Sequence, residues 1–147
     1  MNDTSPLVVE NTLHAPVTRV WQALVDPEQM KNWYFDLPGF KAEVGYEFQF
    51  EGGTEEHTYV HLCKVTSVIP EQKLSYSWIY KGYDGHSEVT FELFPEDDIT
   101  HLKLTHEGLH TFPTIPDFAR SNFEAGWGEI IGNYLKKYVE EGSMTQI

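Results

Sequence analysis

Apolar positions change their period twice along this chain of 147 residues. In "PLVVENTLHA" β-branched residues partly alternate with polar ones, which predicts a strand, and Pro16 then stands where a helix would begin. In "PVTRVWQALV" the residues Val17, Val20, Trp21, Leu24 and Val25 recur at i, i+3, i+4, i+7 and i+8, the spacing of one buried helical stripe. Asp26, Pro27 and Gln29 read as an N-cap, a first-turn proline and a capping-box partner, so a second short helix follows and ends near "NWYFDLPG".

From about residue 43 to residue 107 the period drops to two, broken by turn chemistry at Gly52-Gly53, Pro70-Glu71, Asp84-Gly85 and Glu96-Asp97-Asp98. An antiparallel meander is predicted. Tyr46, Phe48 and Phe50 share a face of one strand; Leu74, Tyr76, Trp78 and Tyr80 share a face of another; Val89, Phe91 and Leu93 share a third. "ITHLKLTHE" is the last strand, with Leu102, Leu104 and His106 on one side. In "WGEIIGNYLKKYVEEG" Trp127, Ile130, Ile131, Tyr134, Leu135 and Tyr138 restore the helical period. Gly126, Gly128 and Gly132 each cost that helix about 1 kcal/mol against alanine. It therefore needs tertiary packing, and close approach to the sheet is the expected reason for the glycines.

Composition adds bounds to this picture. The length suits a single domain over 1–147, and 40% hydrophobic with 14% aromatic residues is a globule's composition. A net charge of -13 repels phosphate backbones and anionic membrane surfaces, which argues against nucleic acid as a partner. No basic leader pattern and no run of about 18 apolar residues occurs, so membrane insertion is not expected and a cytoplasmic location is. Cys63 is the only cysteine, which removes intramolecular disulfides and cysteine-based zinc sites and reads as a small apolar strand residue.

One stretch spells metal chemistry. "LTHEGLHTFP" contains H-E-x-x-H at His106, Glu107 and His110, which on a helix would place two zinc ligands on one face. Here His106 ends an alternating strand, Gly108 interrupts the motif, and Pro113 and Pro116 follow, so a strand passing into a loop is expected and no metal site. His57 and His61 lie four residues apart on an extended strand, about 13 Å, too far to share one ion. No nucleophile elbow, phosphate loop or dinucleotide fingerprint is present, and acidic runs such as "PEDD" read as solvated turns. No catalytic residues and no cofactor are expected from these patterns.

The order of elements resembles the helix-grip fold, an α+β arrangement in which a curved antiparallel sheet wraps a long C-terminal helix, with two short helices after the first strand. "HAPVTRVWQALVDPEQMKNWY" is similar to the N-terminal signature of the START-like SRPBCC superfamily, in particular the group named after the C-terminal domain of the activator of heat-shock protein 90 ATPase. "VTSVIPEQKLSYSW", "SEVTFEL", "LKLTHEGL" and "GWGEIIGNYLKKYV" resemble that group's later strands and final helix. Single glycines at 39 and 45 replace the Gly-Gly pair that the group often has before its second strand.

The resemblance implies an apolar cavity between sheet and final helix, filled by lipids, sterols, polyketides or other aromatic molecules. The faces expected to line it carry Trp33, Tyr46, Phe48, Tyr76, Trp78 and Phe91, joined by Phe118, Phe123 and Trp127. Tyr59, His61 and His106 are its expected polar contacts. A small hydrophobic molecule is thus the expected partner, bound without catalysis. Two alternatives stand beside it: a protein-interaction module acting on a chaperone or other protein, and a cyclase or hydrolase built on a polar pair such as His61 with Tyr76.

Overall fold

A computed structural model describes residues 5–53 and 57–141. Strand β1 (Leu7–Leu13) leads into α1 (Val17–Val25) and α2 (Pro27–Met30), followed by β2 (Glu47–Gly53), β3 (Thr58–Ile69), β4 (Lys73–Tyr80), β5 (Ser87–Glu96) and β6 (Ile99–Glu107). The strands form one sheet in the order β1-β6-β5-β4-β3-β2, every neighbouring pair antiparallel. Consecutive pairing from β2 to β6 is the meander that the period of two predicts, and β1 closes the far side against β6. With the long C-terminal helix against it, this is the helix-grip arrangement.

Local chemistry fixes the corners. Asp26 caps α2 by accepting from the Glu28 amide at 3.0 Å, with Pro27 at the first helical position. Gln29 bonds the Asp26 side chain at 3.3 Å and not its backbone, so the reciprocal capping box is not made. The Trp33 indole donates to the Ala23 carbonyl at 2.8 Å and pins the turn after α2 onto α1. Gly52 and Gly53 are the last paired residues of β2, opposite Tyr59 and Thr58, and not the turn itself; residues 54–56 lie outside the described part of the chain.

The final helix differs most from its expected form. It starts at Arg120, seven residues before Trp127, and runs as α3 (Arg120–Glu129), a π-helical stretch (Ile130–Leu135) and α4 (Lys136–Glu141). The wider π turn shifts the inward face to Trp127, Ile131, Leu135 and Val139, spaced by four, and turns Tyr134 out to 52% exposure. Arg19 of α1 donates to the carbonyls of Val139 at 2.6 Å and Tyr138 at 3.2 Å, and Lys136 reaches the Thr12 carbonyl of β1 at 2.8 Å. Both contacts hold the last turns of the helix to the N-terminal elements. Among the described residues no helix is long and apolar enough to cross a membrane.

Only one of the three helix glycines touches a neighbour. A Cβ on Gly132 would lie 3.3 Å from Asn11 Nδ2, whereas a Cβ on Gly126 or Gly128 would meet nothing within 4 Å. Close approach to the sheet therefore accounts for Gly132 alone.

Candidate functional site

The H-E-x-x-H residues are spread over three local structures. His106 is in β6 and fully buried, Glu107 ends that strand, and His110 sits exposed on a short 3-10 turn (Leu109–Thr111). Gly108 between them has φ +92°, and a Cβ there would collide with the His86 carbonyl, so the chain cannot continue as a helix through the motif. Among the described residues no three His, Cys, Asp or Glu side chains are grouped so as to hold a metal ion.

His106 instead belongs to a buried chain of hydrogen bonds. The Trp127 indole can only donate, and it does so to His106 Nδ1 at 3.0 Å; Nε2 therefore carries the ring proton and donates to Ser87 Oγ at 2.9 Å, whose own proton goes to the Trp78 carbonyl at 2.7 Å. Every group is satisfied while the imidazole is neutral. Burial pushes its pKa down to about 3. Trp127, expected as a cavity wall and core residue together, is 3% exposed and ties the helix to the sheet through this bond.

An open cavity of about 380 Å³ lies between the sheet and the first half of the C-terminal helix. Of the expected site residues, Tyr59, His61, Trp78, Phe118, Phe123 and Trp127 stand in its walls. β3 supplies Tyr59 and His61, two apart on one face; β4 supplies Trp78 and Tyr80 in the same way. On the helix, Phe123, Gly126, Trp127 and Ile130 recur at i, i+3, i+4 and i+7, one face turned to the cavity. A 3-10 turn (Pro116–Phe118) brings Asp117 and Phe118 to the rim.

The remaining expected residues lie outside these walls. Trp33, Tyr76, Phe91 and His106 are buried deeper in the core, while Tyr46 and Phe48 are half-buried and pack with Phe40 at the start of β2. A period of two identifies the face that a residue shares and not how far along the strand the open space extends. Tyr76 and His61 in particular do not pair. The Tyr76 hydroxyl is 2.7 Å from that of Tyr34, and burial raises both phenols above their ordinary range.

Sequence reasoning missed Phe35, Gly52, Tyr80, Asp117, Asn122, Gly126 and Ile130. Tyr80 shares its strand face with Trp78, so its placement was within reach of the pattern. Asp117 had no such signal.

Seven of the lining side chains are aromatic. Tyr80 stacks on Phe118 with centroids 4.6 Å apart, Tyr59 lies 5.1 Å from Phe118, and His61 stacks on Phe50 at 4.5 Å. Gly52 makes room beneath this group, since a Cβ there would sit 3.3 Å from both the His61 and the Phe35 ring. His61 Nδ1 donates to the Tyr59 carbonyl at 3.1 Å; burial lowers its pKa to about 4, against the opposing pull of the Phe50 and Tyr59 carbonyls. The imidazole is therefore neutral at neutral pH. The Tyr59 hydroxyl donates to Asp117 Oδ2 at 2.5 Å, and this bond, with burial adding to it, pushes the phenol up to about 12.

Comparison with known proteins agrees with the geometry. The family model described as Activator of Hsp90 ATPase homolog 1-like protein matches residues 14–140. Protein MLL2253 from Mesorhizobium loti is 28% identical, with 97% of this chain and 100% of that one covered and a TM-score of 0.75. CalU16 from Micromonospora echinospora is 25% identical over 91% of this chain and 73% of its own, with a TM-score of 0.71. DynU16, of the dynemicin biosynthetic locus, shares the fold at 24% identity and a TM-score of 0.77; this chain spans 49% of it. No curated protein matches the chain. A family model that covers all but the ends of the sequence, on a sheet closed round a C-terminal helix, places the protein in the family of Activator of Hsp90 ATPase homolog 1-like proteins, within the START-like SRPBCC superfamily.

Proposed function

We propose that residues 1–147 form one START-like domain that binds a small hydrophobic, ring-bearing molecule in the cavity between sheet and C-terminal helix, without changing it chemically. The observation that carries this reading is the convergence of seven aromatic side chains on about 380 Å³ of open space. That volume lies at the lower end of the range for small-molecule sites, roughly 300 to 1,000 Å³. Aromatic faces give such a ligand stacking surface, and the few polar groups, Tyr59, His61, Asp117 and Asn122, give it orientation.

Binding without catalysis is favoured by the failure of the acid–base pair to assemble. Tyr76 is held by Tyr34 in the core, and His61 gives its Nδ1 proton to a backbone carbonyl. Chaperone ATPase stimulation stands in the family's name, and the aromatic cavity favours ligand binding over it. A cytoplasmic home suits Cys63, a buried free thiol that burial holds well above its ordinary pKa.

The test is the mass of the protein, purified from its own organism without added ligand, under non-denaturing and then denaturing conditions. An organic excess on the order of a few hundred daltons, lost on denaturation, is expected. An excess equal to a zinc ion would contradict the reading and reopen the role of His106 and His110.

A further inference from the structure

We propose that the molecule held in this cavity is a cation: a ring-bearing amine whose ammonium group meets the Asp117 carboxylate while its rings lie among the aromatic walls. This rests on the cavity being a ligand site and goes further by fixing the ligand's charge.

The first observation is the charge inventory of the walls. Among the described residues no lysine or arginine lines the cavity, His61 is neutral, and Asp117 is the one carboxylate in the walls. Among the described residues two carboxylates pair with lysine, Glu28 with Lys31 at 3.0 Å and Glu140 with Lys136 at 2.7 Å. Asp117 has no such partner among the described residues. Its Oδ2 accepts from Tyr59, and its Oδ1 makes no hydrogen bond to a described residue.

The second observation is where this carboxylate stands. Asp117 is already half-buried, and its neighbour Phe118 stacks with Tyr80 and packs against Tyr59. A ligand entering beside them strips water from the free carboxylate oxygen. A neutral or anionic ligand would leave that charge uncompensated, at a cost that a cation removes. Ring faces carry negative potential and attract a cation placed over them, so the aromatic walls and the carboxylate select the same sign. The net charge of -13 steers in that direction as well.

Three probes with one ring system separate charge from shape: naphthylmethylammonium, naphthylmethanol and naphthoate, titrated against the full chain by calorimetry. The ammonium should bind about tenfold more tightly than the alcohol, and naphthoate the most weakly. Asp117→Asn should abolish the difference between ammonium and alcohol, and Asp117→Ser should do the same if the first variant folds poorly. Tyr59→Phe keeps the carboxylate and should keep the preference. Equal binding of ammonium and alcohol by the natural protein would overturn the inference yet leave the cavity reading intact. A preference that survives loss of the carboxylate, or that disappears in Tyr59→Phe, would overturn the role of Asp117. Failure of all three probes to bind would count against the cavity reading itself.

Discussion

The interior has two ends built from the same kinds of residue and put to different use. Around β5 and β6, Tyr76, Phe91, His106 and Trp127 fill the space, and each polar atom has a partner: tyrosine to tyrosine, indole to imidazole, imidazole to serine. Around the outer half of β3 and β4, Tyr59, Trp78, Tyr80 and Phe118 surround open space. Composition does not distinguish the two. What differs is the facing element: at the filled end the helix presents Trp127, Ile131 and Leu135, while at the open end it presents Gly126 beside Phe123, over a strand that presents Gly52. Both glycines stand in the cavity walls, Gly52 letting the Phe35 and His61 rings close over the strand.

The largest effect is expected where the two ends meet. Trp127→Ala should cost about 3 to 5 kcal/mol in denaturant unfolding, as a core deletion that also leaves His106 Nδ1 without its donor. A loss within about 0.5 kcal/mol would show that Trp127 is not buried.

The two histidines sharpen the contrast further. His106→Ala should cost about 3 kcal/mol, because it opens a new hole and strips partners from both Trp127 and Ser87. His61→Ala should cost about half as much, since its ring already borders open space. Equal losses would mean that the cavity is closed in solution.

Protonation gives the next effect. Both histidines have pKa values lowered from 6.5, to about 3 and about 4, so the unfolded chain binds protons that the folded one refuses. Their contribution is complete above pH 6.5 and is lost as pH falls toward those values, by up to about 1.4 kcal/mol per pH unit for each histidine. Urea unfolding between about pH 7 and about pH 5 should show a shallower slope in His106→Ala than in the natural protein. Identical slopes would place a charged imidazole in the core.

The smallest effects concern the helix glycines. Gly128→Ala and Gly126→Ala should each stabilise by roughly 0.5 to 1 kcal/mol, because helical glycine is costly and the added Cβ meets nothing. Gly132→Ala should gain less, its Cβ pressing on Asn11. Thermal unfolding of the three variants would check the order.

The fold was legible because each element carries a strong period and its own punctuation: the helical stripe of α1, the Asp26-Pro27 start of α2, and alternation in the strands. The π-helical stretch was legible in principle, since Trp127, Ile131, Leu135 and Val139 repeat every four residues, but a template of 3.6 residues per turn keeps the first three, misses Val139 and adds Tyr134. The cavity was half legible. Alternation tells which side chains share a face, so Tyr59, His61 and Trp78 were named together with Tyr76 and Phe91, which lie further along the same sheet in closed packing. Gly52 and Gly126 stand in its walls, and an unexplained glycine inside a helix was the available sign. Asp117 reaches the rim through a 3-10 turn that opens on Pro116, a position that no periodicity encodes.

The most direct test of the cavity is a tryptophan-fluorescence titration of the natural protein and of Gly126→Leu with naphthylmethylammonium, Trp78 and Trp127 being the reporters in the walls. The natural protein should bind saturably, and leucine at 126, projecting into the open space, should weaken binding by about tenfold or more without loss of fold. Equal affinity in the two proteins, or no saturable binding of any of the three naphthyl probes to the natural one, would contradict the assignment of this cavity as the ligand site.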